Sequence, residues 1–183
     1  MDKKSLRQTI KRLTSALAEV DAARQRDRVV VSLREVVKQR CPRVVALFSP
    51  LPDEVDISEF VDSLAGQSDV RVLLPRVDTS AEKPTMEFYD YHCEGMAVGA
   101  YGISEPQGGV PCEVAEIDLM VVPAVAFTLR GERLGRGKGY YDSYLSREGF
   151  RAYTVGVCYG HQLVDSLPTE PHDRLVDEVI AGA

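Results

Sequence analysis

The stretch RLGRGKGYYD, residues 133–142, combines three glycines with closely spaced cations, two tyrosines and an aspartate. Glycine lacks a Cβ, so successive backbone N–H groups in such a turn can converge on phosphate oxygens. Arg136 and Lys138 add positive charge at the same place, and Asp142 supplies the hard oxygen ligand that Mg²⁺ prefers. The run therefore predicts a site for a nucleoside triphosphate and its metal ion.

Two common phosphate-binding motifs do not fit this run. A P-loop requires glycine where Glu132 stands and Ser or Thr where Gly139 stands, and the dinucleotide fingerprint requires glycine in place of Tyr140. Composition alone also allows a flexible surface hairpin with solvated cations. However, the run follows the strongest predicted strand, residues 117–123, and precedes a predicted helix, where α/β sheets bind ligands. This placement favours a binding site.

The composition of the whole chain limits the classes of protein to consider. Its 183 residues are 44% hydrophobic and 27% charged, so we expect one globular domain spanning residues 1–183. The net charge of −6 argues against a nucleic-acid partner. The chain begins without an apolar signal segment, and no apolar run is long enough to cross a membrane. We expect a cytoplasmic monomer with no membrane partner.

The cysteines agree with a reducing compartment. None of the four forms a C-x-x-C pair, which disfavours a disulfide framework. Cys158 and His161 have the spacing of metal ligands, but one such pair without a second is weak evidence for zinc.

Apolar periodicity predicts alternating helices and strands. Apolar residues from Leu6 to Val20 recur at helical spacing, and a second helix is predicted over about 22–38. The predicted strands are 43–49, 70–74 (ended by Pro75), 85–91 (an edge strand or hairpin arm), 117–123, 152–159 and 174–181. Shorter helices are predicted at 57–66, 140–148 and 162–167, and a loop at 95–111. Buried strands alternating with helices predict an α/β domain with a mainly parallel sheet.

With its flanks, the glycine run reads IDLMVVPAVAFTLRGERLGRGKGYYDSYL, and several other segments occur in the same order as in one known family. These segments are KKSLR (3–7), FSPLPDEVD (48–56), LLP (73–75), GISEP (102–106), EPHD (170–173) and VDEV (176–179). The chain resembles the 5-formyltetrahydrofolate cyclo-ligase family over nearly its whole length. The resemblance implies a single Rossmann-like α/β domain that closes 5-formyltetrahydrofolate to 5,10-methenyltetrahydrofolate, with ATP as cosubstrate and Mg²⁺ required.

The resemblance also implies roles for individual residues. The ATP-binding set would be Lys3, Lys4, Arg7, Arg133, Leu134, Gly135, Arg136, Gly137, Lys138, Gly139, Tyr140 and Tyr141. Within it, Arg136 and Lys138 would be catalytic, because they neutralise charge on the phosphoryl group in transfer. Glu54 would face the pterin or formyl region and Tyr141 would also meet the folate. Asp142 and Asp173 would bind the metal.

Two other functions remain open from the sequence. One is an ATP-using or phosphosugar-handling enzyme of the same fold with a different substrate. The other is a nucleic-acid or regulatory binding module that uses the basic run, which the acidic net charge disfavours.

Overall fold

The computed structural model describes residues 2–80, 82 and 84–183. Its first half contains helices α1 (Lys3–Ser15), α2 (Glu19–Arg40) and α3 (Ser58–Ala65) and strands β1 (Val44–Ala46), β2 (Arg71–Asp78) and β3 (Thr85–Asp90). Its second half contains strands β4 (Met96–Val98), β5 (Ser104–Pro106), β6 (Leu119–Pro123), β7 (Ala126–Phe127) and β8 (Arg133–Leu134), then α4 (Tyr140–Leu145), β9 (Tyr153–Cys158) and β10 (Glu178–Ala181).

Six strands form one sheet in the order β10-β9-β6-β1-β2-β3. Neighbouring strands are parallel except β2 and β3, which are antiparallel. The central strand β6 is buried along its whole length, as expected for a strand covered on both faces. The predicted α/β domain with a mainly parallel sheet flanked by helices is confirmed, as is β3 as its edge strand.

Helices cover both faces of the sheet. Alternation along β6 directs Val121 to one face and Val122 to the other, because strand side chains have a period of two. The first face packs against α2 and α3, and the second packs against α4 through Tyr144 and Leu145. No helix of the described chain combines the length and apolarity needed to cross a bilayer.

Helix α1 packs away from the main sheet, against the small β7–β8 hairpin. Asp2 caps its first turn by accepting the Ser5 N–H at 2.9 Å. Its one buried residue, Ile10, contacts a cluster that includes Val125 and Leu134. Because β8 leads directly into the glycine run, this packing holds the first turn of α1 beside that run.

The prediction that Pro75 ends its strand is wrong, because β2 continues to Asp78. Proline cannot donate a ladder hydrogen bond, but Pro75 occupies a position where none is needed. The Leu73 carbonyl accepts the Leu47 N–H on the β1 side of the strand. By alternation the Pro75 nitrogen faces that same side, where β1 has already ended at Ala46.

Three other local predictions differ from the structure. Val20 belongs to α2 rather than to the first helix, because α1 ends at Ser15. The predicted loop 95–111 contains the antiparallel β4–β5 hairpin. The predicted helix 162–167 is extended instead: Val164 N–H donates to the Phe127 carbonyl, and this pairing with β7 overrides the helical pattern.

Candidate functional site

A cavity of about 490 Å³ opens where the central parallel strands end. Phe48 and Ser49 follow β1, and Pro123 ends β6, so the cavity lies at the carboxyl edge of the sheet, where such folds bind ligands. Its remaining walls come from α1, β2, β3, the β4–β5 hairpin, the run 133–142 and the segment 170–173. The segments singled out in the sequence, except VDEV, therefore each contribute to one cavity.

The glycine run forms the cavity wall between β8 and α4. Gly137 and Gly139 have φ values of 98° and 73°, a region that favours glycine over residues with a Cβ. Arg7 on α1 donates from Nε to the Gly135 carbonyl at 2.8 Å, which fixes the helix to the run. The side chain of Lys138 is exposed at the cavity edge, and it forms no ion pair within the described residues.

Of the predicted ATP-binding residues, eleven line the cavity: Lys3, Arg7, Arg133, Leu134, Gly135, Arg136, Gly137, Lys138, Gly139, Tyr140 and Tyr141. Lys4 is the exception; it is exposed on α1 and is absent from the cavity wall.

Arg133 is buried and holds Asp142. Its Nη2 lies 2.6 Å from Asp142 Oδ1, and that oxygen also accepts the Arg174 N–H at 3.1 Å. The Arg133 Nε is buried and has no hydrogen-bond partner in the described part of the chain. The ring of Tyr141 lies 5.7 Å from the Arg133 guanidinium, and burial raises the pKa of its hydroxyl. Asp142 therefore lines the cavity and also accepts hydrogen bonds from Arg133 and Arg174.

Arg136 reaches across the cavity to the turn after β1. Its guanidinium contacts Asp53 at 2.5 and 3.1 Å and Glu54 Oε1 at 3.0 Å. The other Glu54 oxygen accepts the Leu51 N–H at 3.0 Å. Burial raises the pKa of Glu54, although the Leu51 N–H and the Arg136 charge act in the opposite direction. The predicted substrate contact Glu54 is therefore a buried carboxyl that is paired with a predicted catalytic cation.

A possible metal site lies in the EPHD segment. Glu170, His172 and Asp173 offer ligand atoms within 4.8 Å of one another, and this is the one such group found among the described residues. Lys3 Nζ lies 2.9 Å from Asp173 Oδ2 and 3.5 Å from Glu170 Oε1. Burial disfavours the Asp173 carboxylate, yet the hydrogen bond from Lys3 leaves its pKa below the ordinary value. Asp142 is outside this group.

The Cys158–His161 spacing does not produce a metal-binding cluster within the described chain. The Cys158 thiol is buried, and burial raises its pKa to about 12. His161 Nε2 instead lies 2.7 Å from the Thr14 hydroxyl.

The site prediction missed the two polar side chains that the β4–β5 hairpin contributes to the cavity. Tyr101 places its hydroxyl 2.8 Å from that of Tyr140, and Glu105 is a buried carboxyl on the cavity wall. The available signal was the GISEP segment, which was noted for its order in the chain but fell within a predicted loop. Glu170 and His172 were missed in the same way, within EPHD.

Comparison with known proteins gives consistent results. The model of the 5-formyltetrahydrofolate cyclo-ligase family matches residues 1–182. A 5-formyltetrahydrofolate cyclo-ligase of Mycolicibacterium smegmatis is 32% identical over 142 residues, covering 75% of this chain and 73% of the relative. One of Saccharomyces cerevisiae is 28% identical over 202 residues, covering 98% of this chain and 95% of the relative.

Solved structures agree with the sequence comparison. The 5,10-methenyltetrahydrofolate synthetase of Aquifex aeolicus has a TM-score of 0.85 at 31% identity, with 100% of this chain and 90% of that chain covered. The 5,10-methenyltetrahydrofolate synthetase of Mycoplasma pneumoniae has a TM-score of 0.78 at 27% identity, with 98% of each chain covered.

Proposed function

The chain belongs to the 5-formyltetrahydrofolate cyclo-ligase family, and we propose that it converts 5-formyltetrahydrofolate to 5,10-methenyltetrahydrofolate with conversion of ATP to ADP and phosphate and a requirement for Mg²⁺. The observation that carries this proposal is the single cavity in which cations of the glycine run face the buried Glu54. A triphosphate and a substrate with polar N–H groups need these two environments side by side.

The chemistry explains why a phosphoryl donor is needed. The formyl oxygen of the substrate is a poor leaving group, so attack by N10 on the formyl carbon stalls. Transfer of the γ-phosphoryl group to that oxygen converts it to a phosphate ester, N10 then forms the new C–N bond and loses its proton, and phosphate departs with the C–O bond electrons. The substrate oxygen is itself the nucleophile toward ATP, so no nucleophilic side chain is required.

The contribution of the protein is to position the reactants and neutralise charge. Lys138 and Arg136 provide cations that stabilise negative charge on the phosphoryl group as it moves. Arg7 and the glycine amides hold the neighbouring phosphates. Arg133 is buried at the start of the glycine run and binds Asp142 at its end. Because Arg136 also contacts Glu54, one guanidinium links the phosphate side of the cavity to the folate side.

The donor set fits a magnesium ion that is shared with phosphates. Mg²⁺ in nucleotide sites usually takes one or two protein carboxylates and completes its shell with water and phosphate oxygens. Asp142 and Asp173 are the carboxylates that we propose to hold it, and Glu170 adjoins Asp173. The chemistry that Mg²⁺ supplies in such a site is partial neutralisation of the phosphate oxygens.

The test is formation of the methenyl product, followed by its absorbance, with purified protein. We expect product only when 5-formyltetrahydrofolate, ATP and Mg²⁺ are all present, with one ADP formed per product. Absence of methenyl product at saturating substrates would refute the proposal. Isothermal titration adds a second measurement: nucleotide binding without folate binding would favour an ATP-using or phosphosugar-handling enzyme of the same fold.

A further inference from the structure

Glu105 differs from the other carboxylates of the cavity. The residue is 3% exposed, its Oε1 accepts the Val77 N–H at 3.3 Å, and its Oε2 makes no hydrogen bond within the described residues. Every other carboxylate on the cavity wall has a cation within 3.5 Å. Those carboxylates are Glu54, Asp142, Glu170 and Asp173. A buried carboxyl with one unpaired oxygen and no cation beside it is costly, so its position on a cavity wall indicates a ligand that supplies hydrogen-bond donors.

The β4–β5 hairpin holds this carboxyl in place. Glu105 on β5 pairs with Ala97 on β4, and the hairpin backbone passes over the carboxyl at Gly99. A Cβ at Gly99 would overlap Oε2 and Cδ of Glu105. The absence of a side chain at Gly99 therefore leaves just enough room for the carboxyl in its observed position.

The wall around Glu105 is apolar and aromatic. Val77 and Met86 lie opposite each other on β2 and β3, and both line the cavity. The Tyr101–Tyr140 hydroxyl pair joins the hairpin to the start of α4, and the charge of Glu105 contributes to the raised pKa of Tyr140, for which burial is the main cause.

The cations lie elsewhere in the cavity. Within the described lining, they come from α1 and the glycine run, and β2, β3 and the hairpin contribute none. The positive charge that acts on Glu105 from this side is that of Arg76, whose guanidinium lies 3.7 Å from the centre of the Tyr89 ring and donates to the Pro106 and Gly108 carbonyls. The negative charge of Glu105 on an otherwise apolar wall disfavours phosphate. The same wall suits a flat ring that carries N–H donors along one edge.

On the basis of the proposed function, we propose that Glu105 recognises the pterin ring of the folate substrate by accepting hydrogen bonds from its 2-amino group and the adjacent ring N–H. These two donors lie side by side in one plane, as in a guanidinium group, and match the two oxygens of a carboxylate. Tyr101 and Tyr140 then lie against the ring system, whose faces suit aromatic packing. Glu105 thereby selects for a 2-amino pteridine among flat heterocycles.

The first test replaces Glu105 by glutamine. Glu105→Gln keeps an acceptor for the Val77 N–H but turns one oxygen toward the pterin into a donor. We expect the Kd for 5-formyltetrahydrofolate, measured by titration without nucleotide, to rise about 10- to 100-fold, as for loss of a hydrogen bond to a charged group. The nucleotide Kd should stay near wild type. Glu94→Gln, on an exposed turn just before the same hairpin, is the matched control.

A substrate analogue supplies the second test. Wild-type protein should bind a 5-formyltetrahydrofolate analogue without the 2-amino group as weakly as Glu105→Gln binds the natural substrate. Glu105→Gln should bind the analogue only slightly more weakly than it binds the natural substrate, because the losses from two partners of one contact are not additive. Gly99→Ala should also weaken folate binding, since it displaces the carboxyl without changing its charge. This variant tests the proposal even where Glu105→Gln folds poorly, as followed by thermal unfolding.

The outcomes separate this inference from the proposed function. If wild-type protein neither binds nor converts 5-formyltetrahydrofolate, the proposed function itself fails. If wild type is active and Glu105→Gln retains wild-type folate affinity, or loses kcat with unchanged folate affinity, the recognition role of Glu105 is overturned.

Discussion

Arg136 lies against Glu54 with its Nη2 and Nε 3.0 and 3.1 Å from the same carboxylate oxygen. The Glu54 side chain is 6% exposed, whereas that of Arg136 is 37% exposed. The buried member of the pair is thus the acid, and its cation is carried by the glycine-rich run. This asymmetry predicts how each side chain responds to substitution.

Arg136→Met should leave a buried Glu54 without its cation and lower the free energy of unfolding by about 1–3 kcal/mol. Adding Glu54→Gln should restore part of that loss, because a neutral amide needs no counter-charge. Chemical denaturation of the two single variants and the double variant measures the coupling. Strictly additive losses would mean that the pair contributes nothing beyond its separate side chains.

Lys138→Ala should weaken the use of ATP without weakening the fold. Lys138 is exposed at the cavity edge and has no ion pair to lose within the described chain. Removing a cation that contacts phosphate should reduce kcat/KM for ATP by about 10-fold or more. The matched control is Lys11→Ala on the exposed side of α1, outside the cavity. Wild-type kinetics for Lys138→Ala would refute a role for this cation.

The sequence predicted the central sheet well because buried parallel strands are continuous apolar runs. The stretch LMVVP of β6 is short, contains β-branched residues and ends at a proline, which favours a buried strand, and the glycine run after it lines one wall of the cavity. Arg136 and Lys138 could be proposed from the sequence because cations between closely spaced glycines suit phosphate, and both line the cavity.

The rest of the cavity depends on contacts between distant segments. The residues of the β4–β5 hairpin look like loop because glycine and proline are frequent there. The hairpin is fixed by long-range bonds such as Val77 N–H to Glu105 and Arg76 to Pro106. Likewise, the segment after Gln162 is extended because it pairs with Phe127. This contact joins residues that are far apart in the sequence, so the local pattern could not predict it.

Asp142 and Asp173 should respond differently to loss of charge. Asp142→Asn removes the counter-charge of Arg133, whose side chain is only 3% exposed, so we expect the free energy of unfolding to fall by about 3–5 kcal/mol. Asp173→Asn removes a partner of Lys3 at the surface of the cavity and should cost about 1 kcal/mol or less.

Both variants should raise the Mg²⁺ concentration needed for half-maximal activity if both carboxylates bind the metal. Thermal unfolding and a magnesium titration of the folded protein separate the two effects. An unchanged magnesium requirement in Asp173→Asn would remove that residue from the metal site, whatever its effect on stability.

The stability of the protein should carry a pH-dependent contribution from Glu105. Burial raises the pKa of Glu105 above its ordinary value of 4.5, so the folded state binds this proton more tightly than the unfolded state does. The resulting stability is fully present below 4.5 and is lost as the pH rises through the raised pKa. Two titratable groups act together with Glu105: the charge of Arg76 opposes the rise in its pKa, and Tyr140 carries a neutral hydroxyl.

Glu105→Gln should therefore raise the thermal midpoint at neutral pH, and the gain over wild type should shrink as the pH falls. Thermal scans at several pH values check this, with Glu94→Gln as the exposed control. A gain that stayed constant with pH would show that ionisation of Glu105 is not its cause.

The left-handed backbone of the glycine run gives a prediction with a closely matched control. Gly139 and Gly108 have φ values of 73° and 70°, and a Cβ at either would meet no atom within 4 Å. Alanine at either position should therefore cost a similar backbone penalty of about 1–2 kcal/mol without a steric clash.

Only Gly139 lines the cavity, so only Gly139→Ala should also raise the KM for ATP, because the strained turn no longer holds its N–H groups toward the phosphates. Parallel measurements of thermal unfolding and ATP kinetics compare the two variants. Equal ATP kinetics at equal loss of stability would mean that the backbone geometry at Gly139 has no part in nucleotide binding.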